Sequence, residues 1–410
     1  MPARMAAVDA QFYWMSAKIP SDQFLLYTFA GEPAHMERAI DDVMGRARAC
    51  PALTIRVSDG SPLTYPRWVP MPVEHPRVHH LDDDSWLGCL DAVVRLADHQ
   101  LDVRQSPWRL HLFASVHDIP GSAASGTVAV LQVAHALADG ARASAMAGWL
   151  FGRVEPVPDV GAPSRGFLPW RSLQAARAHR QLVRDMEAGL LGDTAGSRPV
   201  LITNARPAGA RAVRTLVRHR SELSGPTVSV AVLAAVADAL FGYLGGTATS
   251  LGAEVPMAKP GVRQGHNHFR NVTVGLYPDL PPEARTERIL AELANTRRRA
   301  EHPAARAADR AFAAVPAALL RWGVAQFDID ARPTLVSGNT VVSSVHRGPA
   351  DLRFGDAPVL LTAGFPALSP AMGLTHGVHG IGDTVAISVH AAESAIGDID
   401  SYVQALDAAL

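Results

Sequence analysis

The run Thr127-Val-Ala-Val-Leu-Gln-Val-Ala134 constrains the fold more than any other part of the chain. It is apolar at successive rather than alternate positions, the pattern of a central strand covered on both faces. It leads directly into His135-Ala-Leu-Ala-Asp-Gly140, where Asp139-Gly140 opens a helix. The sheet that holds this strand must therefore present His135 on a turn between a buried strand and a helix.

The flanking segments predict the rest of the architecture. Gln23 to Phe29 reads as a strand, and Met36 to Arg48 has helical spacing through Ile40, Val43 and Met44. Leu63 to Pro70 and Val73 to His80 look extended, with prolines that suit sheet edges. Leu81-Asp-Asp-Asp-Ser85 offers N-cap chemistry for a helix running to about Asp98, and Trp108 to Val116 alternates as a strand. The proline-rich stretch Glu155 to Pro169 marks a boundary, and Trp170 to Leu191 has the composition of a linking helix. Beyond Arg198, helices are expected at Val228 to Leu244, Arg285 to Arg299 and Ile399 to Leu410. Extended segments are expected at Asn271 to Tyr277, Thr340 to Val345, Val359 to Thr362 and Thr384 to His390. The reading is a mixed α/β (α+β) chain in two lobes, each with its own sheet: residues 1–154, a linker and connecting helix at 155–197, and residues 198–410.

Composition narrows the function classes. In 410 residues, 39 acidic side chains against 38 lysines and arginines leave a net charge of −1, without the concentrated positive field that nucleic acid requires. The apolar share of 48% and charged share of 19% place the chain among globular proteins. Cys50 and Cys89, with no CxxC spacing, support neither a disulfide framework nor a thiolate metal site, and a reducing, cytoplasmic location is expected. Asp9 and Gln11 interrupt what a signal peptide would need as an apolar core. Val228 to Gly246 is about as long as the ~20 residues of a membrane span, but Asp238 interrupts it and a buried helix is the better reading. Membrane contact should then be peripheral.

His135 carries the chemical signal. A neutral imidazole, with a pKa of about 6.5, can take a proton from a hydroxyl or thiol and return it to a leaving group. Asp139 could cap the following helix or pair with an arginine, and Gly140 removes a side chain where a substrate would approach. A hydrogen-bonded histidine at a strand end is the alternative reading of the same residue, and residue chemistry alone leaves both open.

With these residues in view, the chain resembles the bacterial wax ester synthase/acyl-CoA:diacylglycerol acyltransferases, within the wider superfamily of chloramphenicol acetyltransferases and peptide-synthetase condensation domains. Ala7-Val-Asp-Ala-Gln-Phe12 is similar to the family's opening segment, and Leu101-Asp102 with Ser106-Pro-Trp108 to its proline-leucine-tryptophan stretch. Leu233 to Leu240, Val255-Pro256, Arg270-Asn271, Gly348-Pro349 and the stretch from Leu374 to Leu410 follow in the order of its later motifs. The resemblance implies two chloramphenicol-acetyltransferase-like lobes with a substrate tunnel between them. It also implies transfer of a fatty acyl group from acyl-CoA, as co-substrate, to diacylglycerol or a long-chain alcohol, with no bound cofactor. His135 would be the general base, Asp139 a structural support of the motif and Gly140 the channel opening. Asn271 and Ser344 are the candidates for holding the oxyanion or substrate, and the partners would be small lipid substrates.

The chain also departs from the family pattern. Ala134 stands where a second histidine is usual, Ser229-Val230 replaces an asparagine-aspartate pair, and Ser344 replaces an asparagine. These departures keep open a glycolipid or secondary-metabolite acceptor on the same fold, and a non-catalytic lipid-binding relative. Arg297-Arg-Arg299 could meet the phosphates of coenzyme A, although a solvated helix end favoured by the helix dipole is the better reading of the run. His79-His-Leu-Asp-Asp-Asp84 mimics the motif but lacks the glycine and a preceding apolar strand. His376 and His379 are expected in a glycine-rich turn, and His266 and His268 in a loop; no metal site is expected. No GxGxxG, P-loop or GxSxG occurs.

Overall fold

A computed structural model of the chain describes residues 3–163 and 166–410; Ser164 and Arg165 of the expected linker lie outside the described residues. The apolar run forms the strand Gly126–Val133, buried at every position. It lies between Gln23–Ala30 and Trp108–Val116, antiparallel to both. Its side chains alternate between two cores. Ala129, Leu131 and Val133 join Leu25, Tyr27 and Phe29 under the helices Met36–Ala49 and Gly140–Leu150. Val128 and Val130 join Phe24 and Leu26 against the helix Trp86–Leu96, whose N-cap Ser85 accepts from the Gly88 amide at 3.0 Å.

The first sheet runs, from edge to edge, Arg353–Phe354, Ala357–Phe365, Gln23–Ala30, Gly126–Val133, Trp108–Val116 and Arg77–His79. Its first two strands come from the span 198–410, so the second half of the chain completes the sheet of the first half. The second sheet runs Phe269–Gly275, Gly252–Ala258, Thr340–His346, Leu374–Ile381, Thr384–Ala392 and Arg211–His219. The helices Val228–Tyr243 and Ile399–Ala409 pack on it over a core that includes Leu233, Val236, Leu240, Val342, Val378 and Leu406. Asp238 sits on the outer face of Val228–Tyr243, paired with Arg285 at 2.5 Å, so the charge that interrupts this apolar run never enters the core. Among the described residues no helix is long and apolar enough to cross a membrane.

One segment differs from the sequence expectation. His376 and His379 do not lie in a turn: Leu374–Ile381 is a strand of the second sheet, buried throughout. The His376 ring meets Thr340 Oγ1 and the Tyr402 hydroxyl, each at 2.9 Å, which accounts for both of its nitrogens. The glycines that suggest a turn serve packing instead. A Cβ on Gly377 would stand 2.1 Å from the Gly364 carbonyl oxygen, and one on Gly364 would stand 2.8 Å from that of Phe24. The two sheets therefore touch backbone to backbone where Ala357–Phe365 crosses Leu374–Ile381. The strand Arg211–His219 is one that the sequence reading did not place. Arg214 pairs with Asp400 at 2.6 Å, and Arg218 and Arg211 pair with Asp407 and Asp98. The helices Pro303–Ala313 and Ala317–Gln326 and the strand Gly252–Ala258 are further elements that periodicity did not disclose.

Because the sheets share this contact, Gly377→Ala should lower stability by about 3 kcal/mol through overpacking. Urea unfolding followed by tryptophan fluorescence, which reports mainly on the first lobe, and by far-UV circular dichroism should show one coincident transition shifted to lower denaturant.

Candidate active site

His135 follows the last residues of the buried strand, in the turn that precedes the helix Gly140–Leu150. The Phe12 ring stacks on its imidazole with centroids 4.2 Å apart and planes 5° from parallel, and Phe269 approaches at 5.5 Å. Its Nδ1 lies 2.9 Å from Asn267 Oδ1. The Asn267 amide nitrogen donates to the His135 carbonyl at 2.7 Å and to Asp9 Oδ1 at 3.0 Å. Two acceptors at that nitrogen fix the orientation of the amide, so Asn267 Oδ1 must accept and His135 Nδ1 must carry the proton. Nε2 is then left with a free lone pair. Burial pushes the imidazole below its usual pKa, against the pull of Asn267 and Asp139, so the ring is neutral near pH 7.

Asp9, on the helix Ala7–Ser16, anchors this arrangement. Its carboxylate also accepts from the His266 and Asn267 amides at 2.8 and 2.9 Å. Burial raises its pKa to about 6, against those three donors. Asp139 locks the same loop from the other side. It caps its helix by accepting from the Arg142 amide at 2.9 Å and accepts from the His268 amide at 2.7 Å. Both of its oxygens meet Arg263, at 2.8 and 3.2 Å. Burial works to raise the Asp139 pKa, but Arg263 and the amides outweigh it and hold the carboxyl below its usual range. His266 is buried with its ring stacked 4.7 Å from Trp68, and it and His268 contribute backbone rather than ring chemistry.

A cavity of about 1020 Å³ opens beside His135, with walls from both lobes. Gly140 lines it, and a Cβ there would meet Val345 at an ordinary 3.5 Å, so the glycine spares room in the cavity rather than relieving a clash. Ser344 lines it too and accepts from Ser229 Oγ at 2.9 Å, so the two serines that depart from the family pattern touch each other. Asn271 also lines the cavity, on the edge strand, with its amide turned toward Glu254 at 3.4 Å. Arg297, Arg298 and Arg299 do not line it. Arg297 and Arg298 are exposed near the end of the helix Pro282–Glu301, and Arg299 donates to the Gly192 carbonyl at 2.9 Å. His79 pairs instead with His111 at 2.8 Å, away from this cavity. Among the described residues no three metal-ligating side chains converge.

Asn267, Asp9, Arg263 and Phe12 are the site residues that sequence reasoning missed. A single asparagine between two loop histidines carries no periodic signal, and its partner stands 132 positions earlier. Only the tertiary fold brings them together.

Residues 267–410 match the family model of the WS/DGAT C-terminal domain, which bears out the resemblance to the wax ester synthase/diacylglycerol acyltransferases. Among solved structures, the chain is similar to the wax ester synthase/diacylglycerol acyltransferase from Marinobacter aquaeolei VT8, with a TM-score of 0.63 and 17% identity over 99% of this chain and 98% of that one. It is similar to the first condensation domain of the CDA synthetase, with a TM-score of 0.61 and 13% identity over 99% and 95% of the two chains. The starter condensation domain of rhizomide synthetase in complex with C8-CoA gives a TM-score of 0.61 and 15% identity, over 99% and 93%. At these identities the likeness establishes the two-lobed α/β fold. A search of curated proteins finds no match.

Replacing Asp139 by alanine removes the helix cap and strands Arg263, whose side chain is only 14% exposed. The expected loss is about 3–5 kcal/mol, read as a lower denaturation midpoint at pH 7. Because its folded pKa is depressed, the stabilisation by Asp139 is complete above the unfolded carboxyl value of about 3.9 and fades as pH falls through the folded value. The difference between wild type and variant should therefore shrink below about pH 4.

Proposed function

We propose that this chain is an acyl-CoA-dependent O-acyltransferase that transfers a fatty acyl group to diacylglycerol or to a long-chain alcohol, giving triacylglycerol or wax ester. The observation that carries the reading is the proton arrangement at His135: Nδ1–H is held by Asn267 and Nε2 is free, on the wall of a large cavity between the lobes. The match of residues 267–410 to the WS/DGAT C-terminal domain supports the acyl-transfer class.

In this reaction His135 Nε2 takes the proton from the acceptor hydroxyl as its oxygen attacks the thioester carbonyl carbon. The tetrahedral intermediate carries its negative charge on the former carbonyl oxygen. Its collapse breaks the carbon–sulfur bond, and the thiolate of coenzyme A leaves with the proton from Nε2. The imidazolium formed in between is supported by Asn267 Oδ1 at Nδ1, an acceptor already in place. Ser344 is the better placed of the two oxyanion candidates, since its oxygen accepts from Ser229 and its own proton remains to donate. Asn271 has its amide partly occupied by Glu254. Asp139 acts by holding the turn, and Gly140 by leaving the channel open. Arg299 would reach a coenzyme A phosphate only outside the His135 cavity, beside a second cavity of about 690 Å³ that shares Arg270 and Asn271 as wall residues. The lipid substrates would be drawn from a membrane surface by peripheral contact, for which the exposed Trp170 and Trp322 are suited. The serine pair at Ser229 and Ser344 favours a second reading, in which the same chemistry serves a glycolipid or secondary-metabolite acceptor.

Purified protein given long-chain acyl-CoA with diacylglycerol or hexadecanol should release free thiol. His135→Ala should abolish that release, and absence of turnover with every acyl donor would refute the reading. Asn267→Ala, which frees the imidazole to choose either tautomer, should lower kcat by about 10²-fold with little change in KM. On the acid side, kcat/KM should fall below about pH 6, where Asp9 takes up a proton and can no longer accept from all three donors. Burial holds His135 below its usual value, so its protonation at acid pH adds to the same loss. A pH–rate profile measures both.

A further inference from the structure

Arg347 follows the strand Thr340–His346 directly and is buried, at 4% exposure. It belongs to no ion pair among the described residues. Its Nη1 donates to Thr362 Oγ1 and toward the Leu26 carbonyl at 3.4 Å, while Nε meets no acceptor among the described residues. The guanidinium carbon lies 5.0 Å over the Tyr27 ring. His379, 7% exposed, stands nearby with Nδ1 unpartnered among the same residues. Both residues line a small cavity of about 60 Å³ whose other walls include Gln23, Gly140, Ser144 and Ser343. No carboxylate among the described residues lines it.

This cavity is continuous in its walls with the one beside His135: Gln23, Gly140, Ser343, Val345 and Pro366 belong to both. A buried guanidinium without a counter-charge is costly, and it is at home only where something anionic completes it. His379 is held neutral by burial and by Arg347 itself, so it offers hydrogen bonding but no second charge. The space suits a carboxylate group, which accepts from a guanidinium fork in two parallel bonds. The Ser343 hydroxyl and the second amide proton of Gln23, whose first is donated to the Ala138 carbonyl at 2.5 Å, supply donors for the remaining lone pairs.

We propose that Arg347 and His379 form a carboxylate-binding subsite of the active-site cavity, so that one of the two substrates carries a carboxylate. The inference rests on the acyltransfer reading for its place in a reaction, but the binding itself does not. The carboxylate could come from a hydroxy fatty acid as acceptor or from the far end of a dicarboxylic acyl-CoA as donor.

The test begins with wild-type protein in chloride-free buffer at pH 7. Sodium acetate and formate should raise the melting temperature in a saturable way, whereas acetamide, the uncharged analogue of acetate, should not. Arg347→Gln should abolish the response and Arg347→Lys should weaken it. A Tm indifferent to carboxylates in the wild type, or an undiminished response in a folded Arg347→Gln, would overturn the subsite even if acyl transfer is confirmed. A response from wild type stands alone if the glutamine variant fails to fold. In the activity arm, a hydroxy fatty acid against its methyl ester, and a dicarboxylic acyl-CoA against its methyl ester, identify which substrate uses the site. One of the two pairs should favour the free acid at least tenfold in kcat/KM, and the preference should vanish in Arg347→Gln. Equal rates within both pairs would overturn the assignment of the carboxylate to a substrate.

Discussion

The backbone contact between Ala357–Phe365 and Leu374–Ile381 is the constraint on which the rest of the molecule depends. Gly377 has no room for a side chain above the Gly364 carbonyl of the other sheet, so at this point the two sheets approach backbone to backbone. A strand from the second half of the chain lies inside the first sheet, paired to Gln23–Ala30. One hydrophobic cluster then contains Leu26, Val130 and Leu361 from that sheet together with Val213 and Ala386 from the other. The lobes are thus joined by hydrogen bonds and by a common core, and the cavity beside His135 takes its walls from both. Such a join keeps His135 in register with Asn267, which orients it from the other lobe.

The orientation of His135 follows from a short chain of hydrogen bonds that begins at Asp9. Asp9 holds the Asn267 amide nitrogen, the amide oxygen holds Nδ1–H, and the ring is left with its basic nitrogen free. On the other side of the turn, Asp139 and Arg263 fix the same loop through a bidentate pair. The two carboxylates differ in charge balance. Asp139 has a guanidinium against both of its oxygens, whereas Asp9 relies on uncharged donors, which explains why one is held below the usual carboxyl range and the other is raised.

Much of the fold was legible because its elements obey local rules. The run Thr127 to Ala134 reads as a central strand and is one; Ser85 and Asp139 read as caps and accept the amides expected of caps. Local rules failed where tertiary partners change the meaning of a residue. Arg211–His219 went unplaced because its arginines belong in a strand only once Asp98, Asp400 and Asp407 pair with them. The glycines around His376 look like a turn until a second sheet is laid against them. At the site, His135, Asp139 and Gly140 were visible as a strand–turn–helix motif. Asn267 and Asp9 were not, because neither position means anything without the other and without the turn that lies between them in space.

The anchoring of His135 has one more consequence. Asn267 and Arg263 sit on a second-lobe loop, while the residues they hold, His135, Asp9 and Asp139, all belong to the first. A displacement of this loop from the turn would withdraw the acceptor from Nδ1. The imidazole would then lose its tautomer preference. The orientation of the ring is in this sense a property of the assembled lobes, which neither half of the chain holds alone.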